Sequence, residues 1–223
     1  MSKYNMKLDE NQVKSLCKLE NVIDQLVNID VNPSWLSNIP HREFLDSMYV
    51  VYRLDATCIF GNGSRETKTM LIDNDIVQYM AVEEQDLYLA AINNIKPEIL
   101  SISEILGFDL ESDMPLLTIS VSGFTYGAFA IVSRDTMDAV AEKIGNDFIL
   151  LPESIHEMYA INVDFFDLNH TELTYDKSFI RSMAYEASHM VPNRNEYLTS
   201  EVYIYHHETK EFTTLKGDQS WKL

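Results

Sequence analysis

A chain of 223 residues, 46% apolar and 11% aromatic, has enough apolar mass to bury a sizeable core within one domain of ordinary size. Its 35 acids against 17 Lys and Arg give a net charge of -18, which excludes direct binding to nucleic-acid backbones or anionic lipid and favours a basic partner. No window approaches the roughly eighteen apolar residues of a spanning helix, and the polar start Met1 to Glu10 has no secretory signal, so a cytoplasmic protein with reduced Cys17 and Cys58 is expected.

Residues 12–28 read as an amphipathic helix, because Val13, Leu16, Cys17, Ile23, Leu26 and Val27 recur at helical spacing. Asn32-Pro33-Ser34 breaks it or starts a short helix, and Pro40 closes an N-terminal helical segment over residues 1–40. A single α+β domain is expected over 41–223. Its first hairpin pairs a strand within 44–60, rich in β-branched and aromatic residues, with 67–72 across a Gly61-Asn62-Gly63-Ser64 turn. Asp73-Asn74-Asp75 supplies an N-cap for a helix over 75–95, jointed near Val82. Residues 96–114 read as a loop with one short helix. Strands are expected at 116–121 and 127–132, joined around Ser122-Gly123-Phe124.

Ser133 then caps a helix with Met137, Val140, Ala141 and Ile144 on one face, and Gly145 sits where a left-handed C-terminal residue belongs. Apolar runs at 148–151 and 158–163 are separated by Pro152-Glu153-Ser154. A last helix covers 175–190, and 201–206 pairs with 211–215 as a closing hairpin. Hairpins alternating with helices predict an α+β fold: a mostly antiparallel sheet of hairpins, with helices packed on one face.

Asn28, Asn32, Leu36, Ile39, Pro40, Phe44, Leu45 and Asp46 form one block, followed by Gly127-Ala128 and by Leu151-Pro152-x-Ser154-Ile155-His156-Glu157. This pattern resembles a bacterial family of unknown function, common in Gram-positive gut anaerobes and sometimes found near mobile elements. Its members typically carry a Leu-Pro-Ser-Ser-Ile-His-Glu-like stretch, a Gly-Ala pair one helix earlier and a Tyr-rich C-terminal strand, here Val202 to Tyr205. The resemblance covers roughly Leu26 to Tyr205. It departs at Glu153, where the family usually has Ser, and in lacking the longer N-terminal region of many members. The resemblance implies a fold but no activity.

Among residues with chemical potential, His156 and Glu157 are the candidate pocket pair. A His beside a carboxylate can act as a base or ligate a metal. The His-Glu-x-x-His pattern fails because residue 160 is Ala, and on a strand neighbouring side chains point to opposite faces. The structural alternative is a helical turn in which Ser154 and Glu157 form a capping box. His189, His206 and His207 have no metal-ligand spacing, and His206-His207 on a strand would put one ring on each face. Gly61-x-Gly63-Ser64 lacks the ending of a phosphate loop. No catalytic residue, metal or cofactor is assigned.

Charge carries the functional expectation. Residues 73–113 hold ten acids and one base, and 135–176 hold ten acids and one base. The expected role is a non-catalytic acidic intracellular binding protein. In its sharp form it is a phage or mobile-element inhibitor that occupies the basic nucleic-acid-binding surface of a nuclease or defence complex. The carboxylates standing in for phosphates would be Asp73, Asp75, Glu83, Glu84, Asp86, Asp109, Glu111, Asp113, Asp164 and Asp167. The alternatives are a small hydrolase using His156 with a carboxylate, or a structural protein that dimerises.

Overall fold

The computed structural model describes residues 8–28, 33–60, 68–107, 116–123, 125–166, 175–191, 193–215, 217 and 219–223. The chain opens with α1 (Glu10–Leu16), started by a capping box between Asp9 and Gln12. It ends there because Asn21 Nδ2 donates to the Ser15 and Leu16 carbonyls at 2.8 and 3.0 Å, replacing the next helical turn. The helix expected over 12–28 therefore stops early, and Val22–Asn28 is a strand, β1. Strand β3 (Met48–Asp55) explains why, since β1 pairs with it antiparallel along all seven residues, from Val22↔Leu54 to Asn28↔Met48. Among the described residues of 1–40, helix α1 is thus matched by a strand of equal length that is woven into a sheet, so the segment is not helical throughout. β2 (His41–Glu43) and β4 (Thr69–Leu71) pair with β3 at its two ends and complete this first sheet. The β3–β4 pairing was legible; the short helix α2 (Thr57–Phe60) between them was not, and the Gly61 to Ser64 turn lies outside the described residues.

Helices α3 (Asn74–Met80) and α4 (Glu84–Asn94) are the two pieces expected around Val82. Asp73 Oδ1 accepts the Ile76 N–H at 2.9 Å, and Ala81 ends α3 in a left-handed conformation.

The second sheet has seven antiparallel strands in the order β11-β10-β9-β7-β8-β6-β5. They are β5 (Pro97–Ser101), β6 (Leu116–Val121), β7 (Phe148–Pro152), β8 (Met158–Asn162), β9 (Tyr203–His206), β10 (Glu211–Thr214) and β11 (Ser220–Lys222). β5 lies where a loop was expected. Pro97 masked it, yet proline is tolerated at the first residue of an edge strand. It leads into the short helix α5 (Ile102–Leu106), capped by Ser101. The strand expected at 127–132 is instead a buried 3-10 helix, Gly127–Val132. β6 could not have accepted it as a hairpin partner, since β5 and β8 already take both its edges.

Helices cover both faces of this sheet rather than one. Phe148 and Leu150 join a large core with Met137, Val140 and Ala141 of α6 (Arg134–Ile144), Ala128 to Val132, and Leu26, Val50 and Leu54 of the first sheet. Ile149 and Leu151 point the other way, into a second cluster with Ile180 and Ala184 of α7 (Tyr175–His189), Val202 and Leu215. Two-sided burial is why β7 reads as an unbroken apolar run. Among the described residues no helix is long and apolar enough to cross a membrane.

One acid sits inside the large core. Asp24 is 4% exposed, and neither carboxylate oxygen has a hydrogen-bond partner. Burial first, then the Glu84 charge, raise its pKa well above the ordinary value, against a smaller opposing pull from Arg42. The folded state therefore favours the protonated carboxyl, and the stability this confers is lost as pH rises. Asp24→Asn should fold normally, and its melting temperature should gain on the parent protein's as pH rises above the ordinary carboxylate range, as differential scanning fluorimetry would record.

Gly127 leaves no room for a side chain. A Cβ there would meet Ser120 Oγ at 2.3 Å, the His156 carbonyl oxygen at 2.4 Å and the Val121 nitrogen at 2.7 Å. Two of the three are backbone atoms with no freedom to move aside. Gly127→Ala should lower the unfolding free energy in urea by about 2 kcal/mol or more, with the slope on denaturant unchanged.

Candidate functional site

The β7–β8 hairpin loop, Glu153 to Glu157, meets the start of the Gly127–Val132 helix at that point. The Ala128 N–H donates to the Ile155 carbonyl at 3.3 Å, and Ser120 Oγ donates to the His156 carbonyl at 3.0 Å. The loop is not the helical turn considered above. The Glu153 and Ser154 N–H groups both donate to the Glu157 carbonyl, and Ser154 Oγ accepts the His156 N–H at 3.1 Å. Ser154 thus bonds two residues ahead, as serine does in tight turns, and no capping box forms with Glu157.

His156 and Glu157 have different neighbours. The His156 ring lies stacked against Tyr126, with centroids 5.8 Å apart and planes 24° apart. The Tyr126 main-chain N–H donates to His156 Nδ1 at 3.1 Å. A nitrogen that accepts carries no proton, so the neutral ring holds its proton on Nε2, which faces Glu196 Oε2 at 4.0 Å. Tyr126 itself has φ 60°, a left-handed conformation uncommon for a residue with a side chain. The Arg53 guanidinium also packs over the Tyr126 ring, 4.8 Å from the centroid. Arg53, from β3, also donates from Nε to Thr69 Oγ1 at 2.7 Å and from Nη1 to Gln25 Oε1 at 3.1 Å. Burial, the larger influence, lowers its pKa from the ordinary value, while Tyr126 opposes that shift.

These residues line a cleft of about 410 Å³ between the outward face of β1 and β3, the Tyr126 corner and the loop that carries Asn193, Asn195 and Glu196. His156 was singled out from its motif. Arg53, Tyr126 and Glu196 were not, because each comes from a different element and none has a local signature. The lining residues include one arginine, one histidine and one carboxylic acid (Arg53, His156 and Glu196), and none is a serine, threonine or cysteine.

Glu157 faces away from the cleft, beside Glu153 and Tyr159. Burial, the Glu153 charge and a hydrogen bond with Glu153 push its pKa up to about 7. Tyr159 is pushed up to about 12 by burial and then by the same two acids.

The acidic residues expected to form a partner-binding surface are placed as follows. Asp73 caps α3, while Glu83 and Asp86 form the capping box that starts α4. Glu84 is held by both ends of the Arg42 guanidinium, at 3.1 and 2.7 Å, and accepts the Tyr52 hydroxyl. Asp75 projects from the first turn of α3 and is exposed. Asp164, after β8, accepts from Asn146 at 2.6 Å. Asp109, Glu111, Asp113 and Asp167 lie outside the described residues.

His206 and His207 do not point to opposite faces. β9 ends at His206, so His207 turns back, and both Nδ1 atoms reach the Asp147 carboxylate at 2.7 Å. Burial raises the Asp147 pKa, but the bonds from His206 and His207 prevail and hold it below its ordinary value. An ionised carboxylate only accepts, so His206 carries its proton on Nδ1, and Nε2 accepts from Thr213 Oγ1 at 2.9 Å. The order hydroxyl, imidazole, carboxylate is that of an activated nucleophile. Yet none of the three residues lines the cleft, and the chain serves to tie the β9–β10 hairpin to the end of α6 through Asp147. Among the described residues no group of three or more His, Cys, Asp or Glu could hold a metal ion.

The acid pair in the hairpin loop yields a pH signature. Because the Glu157 pKa is raised, the proton is held more tightly in the folded than in the unfolded chain. The resulting stability is fully present below about 4.5 and is lost as pH rises through about 7. Glu157→Gln should flatten the fall in melting temperature across that window, and an unchanged slope would show that the pair does not share a proton.

Comparison with curated proteins and with solved structures finds no match to this chain. Residues 2–207 match the group described as Family of unknown function (DUF5688), a span that takes in both sheets up to the end of β9, the Gly127 crossing and every residue of the cleft. The chain therefore belongs to this family of unknown function.

Proposed function

We propose that the protein is a non-catalytic binding protein whose ligand site is the cleft lined by Arg53, Tyr126 and His156. One observation carries this reading: the His156 Nδ1 lone pair is committed to the Tyr126 N–H at 3.1 Å. A general base needs a free lone pair within reach of the proton it takes. The other ring nitrogen carries a proton, and its acidic neighbour Glu196, at 4.0 Å, stands beyond ordinary hydrogen-bond reach. With no hydroxyl or thiol nucleophile of Ser, Thr or Cys among the lining residues, the hydrolase alternative would have to rest on the Glu196 carboxylate without a free imidazole base beside it. The Gly127-Ala128 pair and the Leu151 to Glu157 stretch fit this reading, since they meet in space and Ile155 and His156 of that stretch line the cleft. Nitrophenyl esters, phosphates and glycosides should be turned over no faster than in buffer. Turnover that vanishes in His156→Gln would overturn the proposal.

The surface charge supports a second reading, in which the acidic exterior engages the basic nucleic-acid-binding surface of a nuclease or defence complex. The net charge of -18 and the exposed Asp75 favour it, as does the mobile-element company of the family that the sequence resembles. The caps made by Asp73, Glu83 and Asp86 and the Arg42–Glu84 fork weigh against it, because those acids already have partners inside the fold. A pull-down against basic nucleases should capture partner at low salt and release it at several hundred millimolar, as screening demands. Capture that ignores salt, or none at all, would remove this second reading.

A further inference from the structure

Two arginines of the first sheet are treated very differently. Arg42 is neutralised: Glu84 takes its fork with both oxygens and Gln85 accepts a further bond at 2.6 Å. Arg53 is half-buried, yet no carboxylate among the described residues pairs with it. Its bonds to Thr69 and Gln25 use one Nε hydrogen and one Nη1 hydrogen. A guanidinium has five N–H donors in a rigid fork, so the Nη2 side and half of Nη1 are left without an acceptor among the described residues. Withdrawing an arginine from water without giving it an anion is costly. The neighbours make the arrangement rigid: the ring of Tyr126 backs the guanidinium, and Gln25, itself 4% exposed, holds it from the side.

We propose that the cleft binds a small ligand through an anionic head, a carboxylate or a phosphate, seated on the open side of the Arg53 fork. This deepens the binding reading above and rests on it. A planar fork matches such heads with two parallel N–H···O bonds, which a lysine at the same place could not supply. The other charged member of the lining, Glu196, stands beside His156 Nε2 and sets the limit of the anionic zone. A second negative charge on the ligand would meet it there, so the far end of the ligand is neutral or donates hydrogen bonds.

Four probes with one ring and different heads test this: benzoate, phenyl phosphate, benzamide and benzylamine. Each is titrated into the isotope-labelled chain while the Arg53 Nε–H and Tyr126 amide signals are followed by NMR. Benzoate or phenyl phosphate should shift both signals saturably, and the tighter of the two identifies the head. Arg53→Gln should weaken that binding about tenfold or more, the worth of a hydrogen-bonded charge. Arg53→Lys, which keeps the charge and loses the fork, should fall between. If benzamide or benzylamine binds the cleft as tightly as benzoate, the anionic head is wrong while the cleft as a binding site stands. If none of the four moves either signal, both the anionic head and the binding reading fall.

Discussion

The contact on which the rest depends is the crossing of main chain at Gly127. There the backbone passes so close to β6 and to the His156 carbonyl that no side chain fits. That approach lets Ala128 bond to Ile155 and Ser120 bond to His156, which fixes the β7–β8 loop to β6, the neighbour of β8 in the sheet. It also places Tyr126, one residue earlier, in its left-handed conformation with its N–H aimed at the imidazole. Arg53 over Tyr126, and Tyr126 over His156, follow as a stack of three side chains from three elements. The cleft is a product of packing, and its geometry is inherited from a glycine that does not line it.

The polar interior has a comparable logic. Arg42 of β2 and Glu84 of α4 lock a short strand to a helix across the end of the first sheet, with Tyr52 adding a third bond and the Tyr88 ring lying 3.8 Å from the guanidinium. A partly buried pair of this kind contributes little net stability, since desolvation offsets attraction, but it admits one register for β2 against β3. Asp24 lies on the same inward face as Tyr52, its partner across the β1–β3 ladder. Its carboxyl is buried, repelled by Glu84 and left without a bond, all of which favour the protonated form.

Much of the fold was legible from local signals. Asp73 and Ser133 at helix starts, the joint near Val82, Gly145 at a helix end and the closing hairpin around Lys210 all follow from signals that act within a few residues. What sequence missed was decided at long range. The stretch Val22–Asn28 has helical spacing and β-branched residues at once, and only the presence of β3 resolves it. Residues 127–132 have strand composition, but the edges of β6 were already occupied. The site was legible only in part for the same reason. His156 stood out from its motif, whereas Arg53 sits in a strand read for its apolar residues, and Glu196 sits in a loop with no pattern. The acidic zones were correctly counted, but a count does not reveal which carboxylates are consumed as helix caps.

The seven-stranded sheet has a further consequence at its rims. Covered on both faces, it could grow only by templating another strand along an outer edge. One rim, β5, begins with Pro97, which has no N–H to offer, and runs directly into a helix. The other, β11, is three residues long and carries the exposed Lys222. Proline, brevity and a lysine are the usual guards against main-chain zippering between copies. Association with another molecule through this sheet would accordingly have to be read from side chains, which leaves specificity to chemistry rather than to backbone adhesion.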